Sequence, residues 1–242
     1  MKTSYGKFIR RTLIAFPAEA PTRPTYPLER LLVLSLKPLA LKDFKEGKGY
    51  TGLISCQGEF INNFPDRIVR YIRQTIREQM DARRFDAVPP DVYDLYLAHT
   101  RQKGFPPKSK SELQDCMAFC VYEQGRPISG MFVLPSDPLL LLGIFSDGEQ
   151  PKAAKRVMYE VCLWGHEHGY GAVDVNKLEE KEGLSNEVFK RSFGTVIVPR
   201  YRYVYQPTIY RLAFTMRESI QRIRWMTARR EHKGIGNEYA EK

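Results

Sequence analysis

The sequence predicts an α+β (mixed α/β) protein with a central, mixed, twisted sheet flanked by helices. Three observations carry that reading. Two early segments repeat their apolar residues at helical spacing. From residue 118 the period changes to short apolar runs joined by tight polar turns. A helix-length pattern then separates these strands from a later strand pair, so the order strand–strand–helix–strand–strand follows leading helices. At 242 residues with 43% hydrophobic content, the chain can bury a sizeable core and is not disordered in composition.

The elements are expected in this order. Pro17, Pro21, Pro24 and Pro27 remove backbone donors and bias their neighbours to extended conformation, which gives an arm over 1–29 rather than a helix. Arg30–Leu36 reads as a strand, and Lys42–Gly49 as a loop or one helical turn. Asp66–Phe85 reads as a helix, with Val69, Ile72, Ile76 and Met80 as its apolar stripe and Arg70, Arg73, Arg77 and Arg84 beside it. Asp91–Arg101 is a second helix, with Tyr93, Tyr96, Leu97 and Thr100 facing inward, stopped by Gly104 and the following prolines. Ser109 or Ser111 caps a third, Glu112–Cys120.

Ala118–Glu123, Ile128–Leu134 and Leu139–Phe145 are consecutive strands. Lys152–Gly169 is a helix with Val157, Val161 and Trp164 on its apolar side. Ala172–Val175 is a strand, Asn176–Glu187 a polar loop, and Thr195–Tyr205 a strand pair or a bent strand. A basic helix over Ile209–Arg230 and a frayed tail close the chain. The domain plan is an arm (1–29), one domain (30–210) and a basic C-terminal helix and tail (211–242).

Lys+Arg outnumber Asp+Glu by 38 to 28, a formal +10. Such a balance suits tRNA, the phosphates of CoA or an anionic membrane surface. No apolar run approaches the roughly 20 residues that span a bilayer, and the N-terminus lacks a signal-peptide pattern, so a soluble, cytoplasmic protein is expected. Cys56, Cys116, Cys120 and Cys162 form no close pairs of the zinc type. With Cys116 and Cys120 one helical turn apart and no His nearby, they read as buried thiols, and no metal is expected. His166 and His168 are two apart on a helix and cannot share a metal; they read as helix-end residues. The phosphate-binding, nucleophile-elbow, zinc-protease and dinucleotide motifs are absent.

Asp174–Gly194 (DVNKLEEKEGLSNEVFKRSFG) is the segment richest in chemistry. A buried strand ends near Asp174, a charged loop follows, and Phe189-Lys190-Arg191-Ser192-Phe193-Gly194 leads into the next strand. Two aromatics four apart can plug the core while Lys190 or Arg191 faces a cleft beyond the strand end, where open sheets bind ligands. The plain alternative is that both are solvated surface charges. Lys152, Lys155 and Arg156 open the long helix and are either a phosphate-attracting helix start or a solvated face.

Taken in order, these residues resemble the Fem-type peptidyltransferases of the GNAT-like N-acyltransferase superfamily. The resemblance runs from Thr100-Arg101-Gln102-Lys103-Gly104-Phe105 through Gly125-Arg126-Pro127-Ile128, the helix over 153–169 and Gly171-Ala172-Val173-Asp174 to Phe189-Lys190-Arg191-Ser192-Phe193-Gly194. It spans roughly Leu31–Tyr210, and it is the order and spacing of these elements, rather than any one of them, that is specific.

The resemblance implies a GNAT-like fold and transfer of an acyl or aminoacyl group from an activated donor, aminoacyl-tRNA or acyl-CoA, to an amine. The donor is a co-substrate, and no permanently bound cofactor is implied. It makes Lys190 a candidate for stabilising the oxyanion that develops at the donor carbonyl. Asp174 is a candidate proton acceptor or orienting group. Lys152, Lys155 and Arg156 are candidates for the donor, and Arg101, Phe105, Phe189, Arg191 and Phe193 for the substrate.

The sequence departs from the family in two ways. Peptidoglycan-bridge members usually carry two such domains, and this chain has room for one, which leaves a homodimer as a way to rebuild the cleft. The CoA-binding glycine loop is also replaced by Gln150-Pro-Lys-Ala-Ala-Lys155. Two further readings stay open: a stand-alone acyl-CoA or acyl-carrier transferase acting on an amino acid, peptide or amino sugar, and a non-catalytic module. That module would bind RNA, or touch a membrane peripherally through the C-terminal arginine helix.

Overall fold

The computed structural model describes residues 2–5, 10–17, 19–22, 24, 26, 28–146, 151–178, 185–213, 215–216 and 219. One ten-stranded mixed sheet runs through the molecule. Its strands are β1 (Lys2–Tyr5), β2 (Arg10–Ala15), β3 (Glu29–Ser35), β4 (Lys45–Ser55), β5 (Asp81–Phe85), β6 (Met117–Glu123), β7 (Arg126–Ser136), β8 (Leu139–Ser146), β9 (Ala172–Leu178) and β10 (Val196–Tyr205). Their spatial order is β1-β2-β3-β10-β4-β9-β8-β7-β6-β5. Neighbours are antiparallel except β2/β3 and β8/β9. Among the described residues, four bounded α-helices lie beside it: α1 (Asp66–Arg77), α2 (Pro90–Lys103), α3 (Pro151–Glu167) and α4 (Ser185–Arg191). No described helix is long and apolar enough to cross a membrane.

Alternation along the strands divides the core between the two faces of the sheet. One face carries Ile54, Phe119, Met131, Leu140, Leu142, Val173 and Val175 under α1 and α3. The other carries Ala118, Cys120, Tyr122 and Phe132 under α2. A third cluster joins Leu31 and Val33 of β3 to Tyr203 of β10. The alternating tyrosines of β10 therefore make one packed face, with Tyr201 and Tyr205 partly buried beside Tyr203.

Several expected elements differ. The helix expected over 66–85 stops at Arg77, and Gln79 takes a left-handed conformation at φ 53°. The chain reverses there, and β5 pairs with β6 at the sheet's edge. The buried residues of α1 are Ile68, Ile72 and Thr75, whereas Ile76 is 48% exposed. Tertiary strand pairing thus overrides a periodicity that Met80 appeared to extend. On β5, Arg83 pairs with Asp81 and Arg84 with Asp86.

No helix covers 112–120. Ser109 and Glu112 form a capping box around a single 3₁₀ turn, Lys110–Glu112, and β6 follows. Cys116 and Cys120 are therefore not on one helix face. The loop expected over 42–49 is largely the start of β4. The loop expected over 176–187 is shortened at both ends by β9 and α4, so Phe189-Lys190-Arg191 closes a helix rather than opening a strand. In α2 Thr100 is buried as predicted, while Val92 and Leu95 rather than Tyr93, Tyr96 and Leu97 complete the buried face, with Tyr93 and Tyr96 packed at its margin. Helical residues begin again at 208; the rest of the predicted basic helix, with Arg222, Arg224, Arg229 and Arg230, and the tail lie outside the described residues.

Gly194 ties α4 and β10 to the loop before α1. Its φ is 66°, and a Cβ there would lie 2.0 Å from the Asn63 carbonyl oxygen. Gly104 has a similar φ of 75° with open space around it. Gly194→Ala is therefore expected to cost about 3 kcal/mol or more, the left-handed strain plus a backbone clash. Gly104→Ala is expected to cost only about 1 kcal/mol. Thermal denaturation of the two variants checks the difference: equal losses would show that the contact with Asn63 is not a constraint.

Candidate functional site: the parted strands

β8 and β9 pair through only three residues, Leu139↔Ala172, Leu140↔Val173 and Leu141↔Asp174. Beyond them the two strands part. β8 stays with β7 as far as Ser146, while β9 continues along β4. Parallel neighbours that separate in this way leave backbone groups without ladder partners, and these must be satisfied otherwise. Asn176 satisfies the first. Held at φ 66°, it turns its side-chain amide across the split and donates to the Leu142 carbonyl. Strand alternation points the backbone of Ile144 the same way, further into the wedge.

Asp174 stands at the point of parting and is 0% exposed. Its Oδ1 accepts from the Thr51 hydroxyl and from the Asn176 amide N–H at 2.7 Å. Its Oδ2 faces the Arg200 guanidinium at 3.5 Å. Arg200, reaching over β4 from β10, also donates to the Asn176 side-chain oxygen at 3.3 Å. The single Thr51 hydroxyl proton is shared between Asp174 and the Asn176 carbonyl, which lies 3.0 Å from the hydroxyl oxygen. The result is a charged, hydrogen-bonded knot at the apex of the wedge that draws on β4, β9 and β10. A buried carboxylate requires such pairing.

Arg200, Asn176 and Thr51 are not conspicuous in the sequence. The available signal is the strand PRYRYVY, where Arg200 opens the face opposite the three tyrosines. A cation near the middle of a strand flanked on both sides has to meet an anion.

The predicted residues fall into three groups. Lys190 lies at the rim of the wedge, on α4, where its ammonium donates to the Lys177 carbonyl at 2.8 Å. Phe189 and Phe193 anchor it from below. Phe193 is fully buried, with its ring 5.1 Å from Phe189 and 5.5 Å from Phe64. They are structural plugs that fix the helix turn carrying Lys190 and Arg191.

The cations of α3 form the second group, and they do not act together. Lys152 is bound to Glu78 at 2.5 Å, which holds that carboxyl below the ordinary carboxylate range. Arg156 is bound to Glu160 at 2.6 Å. Lys155 has no carboxylate partner among the described residues and donates to the Pro151 carbonyl at 3.0 Å. Its ammonium lies 5.0 Å from the Tyr71 ring centroid and 6.0 Å from that of Phe189, and burial lowers its pKa.

Arg101 and Phe105 form the third group. Asp91 in the first turn of α2 accepts from Tyr122 near the end of β6, and Tyr96 packs on Phe132, four register pairs further from the wedge mouth. α2 therefore runs away from the mouth and carries Arg101 and Phe105, both exposed, toward the far end. The structure does not bring them together with Asp174 and Lys190.

The thiols offer no nucleophile. Cys56, Cys120 and Cys162 are buried and Cys116 partly so, all reduced. Burial pushes Cys116 up to about 11 and Cys120 up to about 12, and the hydrogen bond with Cys56, with burial, raises Cys162 well above the ordinary value. His166 and His168 hydrogen-bond to the carbonyls of Cys56 and Trp164 at the helix end, each at 2.8 Å.

No family model matches the chain, and no curated protein matches it. Solved structures do. The C-terminal (DUF2156) domain of a protein assigned as a lysylphosphatidylglycerol synthetase from Agrobacterium fabrum superposes with a TM-score of 0.55 at 10% identity, over 89% of this chain and 83% of that one. L-PGS from Bacillus licheniformis gives 0.52 at 12% identity, over 84% and 80%. FemX gives 0.55 at 12% identity, over 72% of this chain and 65% of FemX. At these identities the likeness is one of fold: the chain shares its fold with FemX and with these two synthetase structures.

Two measurements check the site. Arg200→Met leaves the Asp174 carboxylate buried without its cation and is expected to destabilise by about 3 kcal/mol, whereas Asp174→Asn/Arg200→Met recovers much of the loss. Additive losses in urea denaturation would dissolve the proposed coupling. Iodoacetamide at pH 8 is expected to leave the native thiols unmodified and to label all four in urea, read by intact mass.

Proposed function

We propose that this protein is an acyltransferase that moves an acyl or aminoacyl group from an activated donor to an amine. One observation carries the reading: the parallel strands β8 and β9 separate after three residue pairs, and a lysine ammonium sits at the rim of the gap. An extended donor arm lying between the parted strands takes the place of the missing ladder, with the backbone of β8 beyond Leu142 as its partner. The donor carbonyl then lies near the end of β9. The amine nitrogen bonds to its carbon, the ester or thioester bond breaks, and the leaving oxygen or sulfur takes up the proton that the amine gives away.

Lys190 is assigned to the negative charge that the carbonyl oxygen acquires on the way, a role for a fixed cation near a partly dry site. Its backbone anchors strengthen that assignment. Thr195 donates to the Lys190 carbonyl, and Phe189 and Phe193 lock the turn. Asp174 is assigned to orientation rather than proton removal, because its oxygens are engaged by Thr51, Asn176 and Arg200. Lys155, beside the first turn of α3, is the donor-facing cation of its trio.

The aminoacyl form of the reaction draws support from the resemblance to Fem-type transferases and from the fold shared with a lysylphosphatidylglycerol synthetase. A plain acyl-CoA donor is the second form, and the positive start of α3 favours it to the extent that Lys155 faces a phosphate.

Lys190→Met is expected to lower the turnover of acyl transfer about a hundredfold while leaving KM within a few fold. The assay pairs candidate donors, aminoacyl-tRNA and acyl-CoA, with amine acceptors and detects the product by mass. Unchanged turnover in the variant removes Lys190 from the chemistry. A melting-temperature rise with CoA but not with tRNA would assign the donor to the CoA class.

A further inference from the structure

Several cations described at this end of the molecule have a carboxylate partner. Lys152 has Glu78, Arg83 has Asp81, Arg84 has Asp86 and Arg156 has Glu160. Arg70, Arg73 and Arg77 of α1 are different. All three are exposed, and none forms an ion pair or hydrogen bond with a described residue. They line two adjoining open grooves of about 590 and 540 Å³ that share Arg70 and Arg73. The lining holds one acid, Asp66, at its N-terminal end.

We propose that this face of α1 is a docking rail for the sugar–phosphate backbone of an RNA, and that the rail leads to the wedge. From Arg70 to Arg77 the helix rises roughly 10 Å, a reach suited to several successive phosphates rather than to one small anion. Arginine forks match phosphate oxygens bidentately. The rail connects to the candidate site through Tyr71. Its hydroxyl accepts from Arg67 at 3.4 Å, and its ring carries the Lys155 ammonium, which also approaches Phe189, the neighbour of Lys190.

A membrane surface fits this face less well. An interfacial helix needs a broad exposed apolar stripe, whereas the apolar stripe of α1 is spent in the core at Ile68 and Ile72, leaving Ile76 in the groove. The functional meaning of the rail rests on the acyl-transfer reading, in which it would hold a nucleic-acid carrier of the donor.

The test is a binding titration of the full chain with a labelled RNA hairpin, read by fluorescence anisotropy between roughly 50 and 200 mM salt. The triple variant Arg70→Gln/Arg73→Gln/Arg77→Gln is expected to bind more than about tenfold more weakly. The slope of log K against log salt is expected to fall in magnitude by about three, one for each lost phosphate contact. The corresponding triple Lys variant, which keeps the charge, is expected to retain most of the affinity. Equal RNA affinity and slope in wild type and the Gln variant would overturn the proposal. So would a rail-dependent preference for phosphatidylcholine–phosphatidylglycerol vesicles over RNA. The titration contains neither acyl donor nor acceptor, so its outcome is independent of whether transfer occurs.

Discussion

The architecture turns on a parallel strand pair that is abandoned after three residues. A sheet gains by completing its ladders, and leaving one open inside a protein exposes polar backbone to a poorly solvated space. Here the cost is contained at a single point. Asn176 leaves the regular strand conformation to cap the carbonyl of Leu142, and Asp174, Thr51 and Arg200 hold Asn176 in that posture. Everything placed around the gap follows: α3 departs from β8 and returns to β9, and α4 brings its lysine to the end of β9. A closed ladder would leave no room for an extended ligand, and an unsupported gap would not keep its shape.

The knot also shows how a charge can be buried with every neighbour engaged. Asp174 is surrounded by donors from three strands, and its nearest cation is itself shielded, with Arg200 only 13% exposed. Removing one member of such a set leaves an uncompensated buried charge, so its members hold one another in place. Lys190 is different, held through its neighbours while its head remains at the rim. The division of labour, rigid apex and accessible rim, is what a site needs if it is to bind in one geometry and still turn over.

Much of this was legible in the chain. The three consecutive strands from 117 to 146, the long helix after them and the Phe189–Phe193 plug follow from period and turn chemistry, which are local. The failures share a cause. Asp81–Phe85 continues a helical spacing on paper but is claimed by β6, and Met117–Cys120 is claimed by β7 and β5; strand pairing is a long-range event that periodicity does not encode. The candidate site divides the same way. Asp174 and Lys190 lie on a recognisable stretch, whereas Arg200 and Thr51 reach it only because β4 separates β9 from β10 in space. The arginines of α1 are visible in the sequence as a stripe, but that they lack carboxylate partners is a property of the folded surface.

The outermost strand, β5, carries a further consequence. It has a neighbour on one side only, and its five residues include two arginines, each held by an aspartate within two positions. Charged edge strands are poor templates for another chain. A second copy laid alongside in the same plane would have to desolvate these charged pairs, so the polymerisation to which an open-edged sheet of this width is otherwise prone is opposed at this end by the strand's own composition.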